Sequence, residues 1–155
     1  MTHAHDASDP HRRARPAPAA ARRHAFERER TIRFSHCDPA GIVFFPQYLV
    51  MFNDLVESWV TESLGIPYAA LIGTRRVGLP TVSLQVDFSA PSRMGDVVTL
   101  GLGVERVGGA SIVLTLGCRL GDEQRVRMTQ VLVTTSLETH RAMGIPDDLR
   151  AALMR

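Results

Sequence analysis

Gln47-Tyr48-Leu49-Val50-Met51-Phe52-Asn53-Asp54-Leu55-Val56-Glu57-Ser58-Trp59-Val60-Thr61-Glu62-Ser63-Leu64 is the stretch on which the fold turns. Tyr48, Met51, Phe52, Leu55, Val56 and Trp59 recur at i, i+3, i+4, i+7, i+8 and i+11, the spacing of one wide apolar helical face. Asp54, Glu57, Ser58, Thr61 and Glu62 fall largely on the opposite side. Pro46 suits the first helical turn, where an amide is not needed, and Gly65 followed by Pro67 stops the helix. A helix with so broad an apolar stripe needs a sheet to cover it.

Downstream, the period changes from helical to alternating. Val82, Leu84, Val86 and Phe88 alternate with Ser83, Gln85, Asp87 and Ser89. Val98, Leu100, Leu102 and Val104 repeat the pattern, Gly108-Gly109 is a hairpin signal, and Ile112, Leu114, Leu116, Cys118 and Leu120 alternate after it. Gly121-Asp122-Glu123 marks another turn, and a last strand is predicted from about Arg125 to Leu137. Upstream, Phe26 to Phe34 reads as a first strand. Tyr68 to Gly73 is expected to form a short extra turn and Met143 to Arg155 a short tail helix. The predicted order is one strand, one long helix and four strands in a meander. That is an α+β fold, a bent five-stranded antiparallel sheet wrapped around one helix. Residues 26–140 form the domain, with a disordered N-terminal tail over 1–25 and a C-terminal tail over 141–155.

With 155 residues, 45% hydrophobic and 22% charged, the chain has an ordinary globular balance and enough length for one core. Arg12, Arg13, Arg15, Arg22 and Arg23 lie in the first 23 residues. Without those five charges and the two of Asp6 and Asp9, the formal net charge falls from +2 to −1. The body is therefore not basic, which argues against nucleic acid as a partner. An Arg-rich leader also suits an organelle-targeting peptide, but Asp6 and Asp9 count against that. No apolar run approaches a membrane span, and Cys37 and Cys118 do not make a disulfide framework. A reducing, cytoplasmic setting is expected.

His36-Cys37-Asp38-Pro39-Ala40-Gly41 is a turn by composition, just ahead of the long helix. Pro39 pushes Asp38 out of the helical region and Gly41 permits unusual backbone angles. A carboxylate before a helix is often only a turn or capping residue. The chemical alternative is more specific. Backbone amides over residues 41–46 polarise a thioester carbonyl, and Asp38 attacks it or activates water. Such a site needs neither metal nor cofactor. Cys37 and His36 are weaker candidates, because neighbours in an extended segment point apart and a lone His is more often a polar loop residue. No His, Cys and acid cluster has metal-ligand spacing in an ordered context. Asn53 and Glu57 lie one helical turn apart, and Asn53 borders the apolar stripe, where it would stand at the inner end of a ligand cleft.

The segment Ser35-His36-Cys37-Asp38-Pro39-Ala40-Gly41-Ile42-Val43-Phe44-Phe45-Pro46-Gln47-Tyr48 resembles the signature of the 4-hydroxybenzoyl-CoA thioesterase family, and also the acyl-CoA thioesterases associated with the Tol-Pal system. Gly78-Leu79-Pro80-Thr81-Val82-Ser83, Phe88 and Gly95-Asp96-Val97-Val98 support it. The resemblance covers about residues 26–137 and implies the hotdog fold. It implies that Asp38 is the catalytic carboxylate and that the Phe45 amide binds the thioester oxygen, with the Gly41 amide a weaker candidate. The family's helix acid, which binds a ring hydroxyl in hydroxybenzoyl-specific members, falls on Asn53. This departure puts a 4-hydroxyl substrate in doubt. The hairpin that carries a CoA-binding basic cluster in some members is here Val107-Gly108-Gly109-Ala110, leaving Arg106, Arg93 or Arg119 to meet the phosphates.

The expected activity is hydrolysis of an acyl-CoA thioester, with Asp38 as nucleophile or general base and an aromatic or medium acyl group. Phe44, Phe45, Pro46, Tyr48, Phe52 and Asn53 are expected around that group. The resemblance also implies a homo-oligomer, a dimer or tetramer. Two alternatives stand beside this reading. One is a hotdog hydratase or dehydratase, which would use a His with an acid, but His36 and His140 of the body do not sit where such a motif is expected. The other is a non-catalytic ligand-binding hotdog.

Overall fold

The computed structural model describes residues 24–155, so the expected tail over 1–25 lies almost wholly outside the described residues. The elements in chain order are β1 (Phe26–Thr31), α1 (Pro46–Ser58), α2 (Tyr68–Gly73), β2 (Val77–Gly78), β3 (Thr81–Phe88), β4 (Val97–Val107), β5 (Ser111–Leu120), β6 (Glu123–Val133), β7 (Thr135–Ser136) and α3 (Asp147–Leu153). Five strands form one antiparallel sheet in the order β1-β4-β5-β6-β3, and β2 pairs with β7 in a small second ladder. One long helix against a five-stranded antiparallel sheet is the hotdog arrangement that the sequence led us to expect.

The helical stripe explains the packing. Tyr48, Met51, Phe52, Leu55, Val56 and Trp59 are all buried, and they share one core with Val98, Leu100 and Leu102 of β4, Ile112, Leu114, Leu116 and Cys118 of β5, and Val126, Met128 and Leu132 of β6. Fully burying side chains of this size stabilises the fold by roughly 1.5–3 kcal/mol each. The helix does not stop cleanly at Ser58. It widens into a π turn over Trp59–Ser63, closed by the Leu64 amide donating to the Trp59 carbonyl at 3.1 Å, and the chain leaves the helix at Gly65 (φ +70°).

Three expectations are corrected. The strands after the helix are not a simple meander. β4, β5 and β6 are successive neighbours, but β3 pairs with β6 (Leu84↔Gln130, Phe88↔Val126), and β4 takes β1 as its other neighbour (Arg28↔Leu100). Alternation fixes which side chains face inward, not which strand lies beside which. β1 ends at Thr31 instead of Phe34, because Phe34–His36 folds into a 3₁₀ turn in which His36 Nδ1 accepts the Arg33 amide at 3.0 Å. β6 ends at Val133 instead of Leu137. There the Thr134 amide donates to the Ala110 carbonyl at 2.8 Å, and the Thr134 hydroxyl donates to the Met143 carbonyl at 2.7 Å. The C-terminal segment carries a short helix, α3, as expected, and packs onto the body. Ile145, Leu149 and Ala152 enter the core, Arg150 donates to the carbonyls of Gly108 and Gly109, and Arg75 clamps Asp148 through two hydrogen bonds of 2.7 and 2.8 Å.

β3 is an edge, and α1 does not cover it. Its apolar row remains open to solvent, with Val82 60%, Leu84 44% and Phe88 50% exposed. An apolar row on an unpaired edge strand is a pairing surface.

Two stability outcomes follow. Phe52→Ala is expected to cost about 3–5 kcal/mol in urea unfolding, as a fully buried aromatic deletion does. The Arg75 clamp holds the Asp148 carboxyl below its usual range, chiefly through its hydrogen bonds. A folded value below the unfolded one makes this contribution present above about pH 3.9 and lost as the pH falls through the depressed value. Asp148 is more than half exposed, so solvent screening keeps the effect under about 1 kcal/mol. Asp148→Asn should therefore lower the melting temperature slightly at pH 7 and converge with wild type in acid.

Candidate active site

The turn after β1 is tied to the sheet from its start. The Ile32 amide donates to the Asp96 carbonyl and the Gly95 amide to the Ile32 carbonyl, both at 2.8 Å. A bridge between Cys37 and Val43 then closes a narrow loop, with the Asp38 amide on the Ile42 carbonyl at 3.0 Å and the Phe44 amide on the His36 carbonyl at 2.9 Å. Gly41 turns the tip with φ +76°, a conformation that a side chain would strain, and its amide donates to the Asp38 carbonyl at 2.9 Å. Asp38 is half-buried. Its Oδ1 accepts the Ala40 amide at 2.8 Å, which orients the carboxylate, and Oδ2 has no partner among the described residues.

Five residues beyond Gly41, the chain enters α1 at Pro46. The Gln47 amide donates to the Phe44 carbonyl and the Tyr48 amide to the Phe45 carbonyl, at 2.8 and 3.2 Å. Pro46, at the first helical position, has no amide hydrogen. The Phe45 amide has no acceptor among the described residues. It is a backbone donor at a helix N-terminus, where the peptide dipoles add positive potential. The Phe45 ring is 58% exposed and stands edge-on to Phe44 at 5.5 Å and to Phe88 of β3 at 6.2 Å.

Of the residues singled out in the sequence, Asp38, Gly41, Phe45 and Pro46 share this one loop and helix start. The Gly41 amide is already committed to Asp38, so among these amides Phe45 offers the free donor. Tyr48 turns inward, its ring 6.0 Å from Phe88 and its hydroxyl buried. Phe52, expected to line the substrate, is fully enclosed in the core on the sheet-facing side of α1 and presents no surface to a ligand. Asn53 is exposed on the opposite side of the helix. Arg106 lies nine residues along β4 from Val97, the residue that pairs with the end of β1. At ~3.3 Å per residue it stands about 30 Å from the Asp38 end of its own sheet. Arg119 is held by Glu27 at 2.9 Å, whereas Arg93 sits beside the loop through its bridge to Ile42.

His36 faces away into a charged group on α1 and β1. Burial and then Arg30 and Arg33 push its imidazole below the usual histidine range, with Asp54 pulling the other way. Arg30 pairs with Asp54 at 3.0 Å. A groove of about 220 Å³ opens beside them, lined by Arg28, Arg30, Met51, Asp54, Leu55 and Ser58 among others, and neither Asp38 nor Phe45 borders it. The sequence reading missed Ser92. This residue is fully buried in the β3–β4 loop, and its carbonyl accepts the Val43 amide at 2.9 Å. No motif marks it, because its role comes from a contact between segments about fifty residues apart.

Among the described residues, no group of His, Cys, Asp and Glu is arranged to hold a metal ion, and no helix is long and apolar enough to cross a membrane. The loop thus carries an oriented carboxylate and leads into a helix start with an unclaimed amide, and comparison with known proteins gives the chain a family. A profile of the thioesterase-like superfamily matches residues 32–153. A 1,4-dihydroxy-2-naphthoyl-CoA hydrolase of Synechococcus sp. strain CC9605 is 30% identical over 132 residues, covering 82% of this chain and 83% of that protein. The protein of the same name from Synechocystis sp. is 35% identical over 78 residues, covering 50% of this chain and 55% of the relative, so this match spans about half of its length. In structure, the chain is similar to a 1,4-dihydroxy-2-naphthoyl-CoA thioesterase from Synechocystis (TM-score 0.76, 24% identity, 83% of this chain and 95% of that one). It is also similar to a gentisyl-coenzyme A thioesterase (TM-score 0.75, 24% identity, 82% and 98%). With its fold and most of its length thus matched, the chain belongs to the thioesterase-like superfamily and is a hotdog-fold enzyme of the thioester-hydrolase class.

Proposed function

We propose that this protein hydrolyses an aromatic acyl-CoA thioester at the Asp38 loop. The observation that carries the proposal is that one loop and helix start hold both Asp38, oriented by the Ala40 amide, and a Phe45 amide with no acceptor among the described residues. The thioester oxygen accepts a hydrogen bond from Phe45, which stabilises the negative charge that grows on it as the carbonyl is attacked. Asp38 either takes a proton from the attacking water or attacks the carbonyl itself, forming a mixed anhydride that water then opens. In both routes the carbon–sulfur bond breaks, CoA leaves as the thiolate and takes up a proton, and the carboxylic acid remains. The exposed rings of Phe44, Phe45 and Phe88 and the naphthoyl-CoA substrates in the names of the sequence relatives favour an aryl acyl group.

The active unit in this proposal is a homo-oligomer built on the open β3 edge. A second copy there would cover Val82, Leu84 and Phe88 and bring another protomer's surface against the Phe45 ring, which already touches Phe88. Leu84→Lys should then shift the mass measured by light scattering toward that of a monomer. An unchanged mass would remove β3 from the interface.

Thiol release over a panel of acyl-CoAs tests the chemistry. The panel holds 1,4-dihydroxy-2-naphthoyl, 4-hydroxybenzoyl, benzoyl, phenylacetyl and straight-chain thioesters. Asp38→Asn is expected to lower kcat by about 10²–10⁴-fold while the fold stays intact. Phe45→Pro removes the amide hydrogen at a residue whose φ of −51° already suits proline, and Phe45→Ala keeps the amide and removes only the ring. A loss of about 10²-fold or more in kcat for Phe45→Pro beyond that for Phe45→Ala is the expected signature of an oxyanion donor. Equal losses in the two variants would remove Phe45 from that role. A wild type that releases no thiol from any of these substrates would leave the ligand-binding alternative.

A further inference from the structure

Gly78-Leu79-Pro80-Thr81-Val82-Ser83 carries the chain from β2 into β3 and has no part in the Asp38 loop. The segment is firmly seated. The Pro80 carbonyl accepts the Val133 amide at 3.1 Å, Leu79 is buried, and a Cβ on Gly78 would lie 2.8 Å from Cδ2 of Leu137. Strict alternation would point Thr81 outward with Ser83 and Gln85. A bulge between Thr81 and Ser83 resets the register, so Thr81 pairs with Leu132 and joins the inward row of Leu84, Val86 and Phe88. Unlike the buried Leu132, Thr81 is exposed.

Gln130 reaches Thr81 from the neighbouring strand. The inward row of β6 is Val126, Met128, Gln130 and Leu132, and all four are buried. Gln130 is 6% exposed and lies between Leu114 of β5 and Leu84 of β3. Its Nε2 donates to the Thr81 hydroxyl oxygen at 2.7 Å, and its Oε1 is buried with no hydrogen-bond partner among the described residues. Turning the carboxamide end for end would only exchange which end is orphaned. A leucine at this position would complete the apolar row without that cost. What the glutamine supplies is a fixed threonine hydroxyl. The Thr81 oxygen accepts from Gln130, and its own proton has no acceptor among the described residues.

We propose that Thr81, oriented by Gln130, is a specificity residue that each protomer lends to its partner's site, where it donates a hydrogen bond to a ring hydroxyl of the acyl group. This rests on the Asp38 site and the β3 dimer proposed above. Within one chain Thr81 is seven residues along β3 from Phe88, about 23 Å at 3.3 Å per residue. A two-fold axis normal to the sheet runs two β3 edges antiparallel and keeps both open rows on the same side. Pairing the whole of Thr81–Phe88 with its copy sets the partner's Thr81 opposite Phe88, about 5 Å away across the strand pair. Phe88 is the residue that meets the Phe45 ring. An aryl group with its thioester oxygen on the Phe45 amide then lies beside a hydroxyl that its own chain cannot supply. Such a site favours the hydroxylated ring over its unsubstituted analogue, because the analogue leaves the site's polar group unpaired.

The test measures kcat/KM in the full chain for 4-hydroxybenzoyl-CoA against benzoyl-CoA, and for 1,4-dihydroxy-2-naphthoyl-CoA against 2-naphthoyl-CoA. Thr81→Val should lower the preference for the hydroxylated member of a pair by about 10-fold, and Thr81→Ser should keep it. Gln130→Leu removes the orphaned amide, so its melting temperature should hold or rise while the preference falls. That split separates reading of the substrate from plain structural support. Absence of any preference in wild type, an unchanged preference in Thr81→Val, or equal losses on both members of each pair overturns the proposal. If Thr81→Val does not fold, Gln130→Leu decides by the same criteria.

A mixed dimer of one Asp38→Asn chain and one Thr81→Val chain, purified through two tags, tests the lending itself. Its one intact Asp38 meets the other chain's intact Thr81, so it should show the wild-type preference at about half the wild-type rate. The Thr81→Val preference in the mixed dimer, or a wild type that is monomeric by light scattering, overturns the sharing. If Asp38→Asn stays active, the Asp38 reading has failed by itself and the Thr81→Val preference decides alone. If wild type releases no thiol, calorimetry with free 4-hydroxybenzoate and benzoate decides. Thr81→Val should then lose a wild-type preference for the hydroxylated acid, and a preference that is unchanged, or missing in wild type, overturns the proposal.

Discussion

Along α1, Tyr48, Met51, Phe52, Leu55, Val56 and Trp59 give up nearly all contact with water to the inner faces of β4, β5 and β6. That contact decides where everything else can be. A stripe this wide needs cover along its full length, and an antiparallel sheet with one apolar face supplies it by bending around the helix. The strands carry the matching pattern, with Leu100, Leu102, Leu114, Leu116 and Met128 inward. Once the helix is held this way it cannot rotate, and its N-terminus is aimed at one fixed place.

The site uses that fixed end. Pro46 contributes no amide and Gln47 and Tyr48 bond back to Phe44 and Phe45, so at the helix start the unclaimed donor is Phe45. Asp38 is brought to it by a loop whose hydrogen bonds are nearly all spent internally, on Ile42, Gly41, His36 and Ala40. Such a loop has little freedom of its own, which keeps down the ordering cost when a substrate arrives. Its remaining attachment is to the β3–β4 platform through Val43 and Ile42. In the proposed site the reacting groups stand on a helix start and on a loop bonded to its own backbone.

Much of this was legible in the residues. Helical spacing from Tyr48 to Trp59 and alternation from Val82 to Leu120 were strong enough to indicate one helix and one sheet, and Asp38-Pro39-Ala40-Gly41 before Pro46 was enough to nominate the loop. What was not legible is equally specific. Phe52 carries the same apolar signal whether it lines a pocket or fills a core, and only its packing shows that it is enclosed. The strand order could not be read because β3 and β4 show the same alternation, and nothing local to either says that β6 lies between the sheet's middle and β3. The Arg150 and Arg75 contacts that draw the C-terminal segment onto the body join residues 41–73 positions apart, beyond the reach of any local pattern.

The sequence by itself determined the elements and their inward faces, and singled out Asp38 as the candidate carboxylate. These follow from periods of 3.6 and 2 residues and from turn chemistry, all of which act over a few neighbouring positions. Tertiary structure decided which amide is free and which is spent, which aromatic rings face water, and that Arg106 lies at the far end of its own sheet from Asp38. It also decided that Ser92 lies beneath the loop. Each of these depends on two segments distant in sequence meeting in space, and the free energy that brings them together comes from the shared core rather than from the residues concerned.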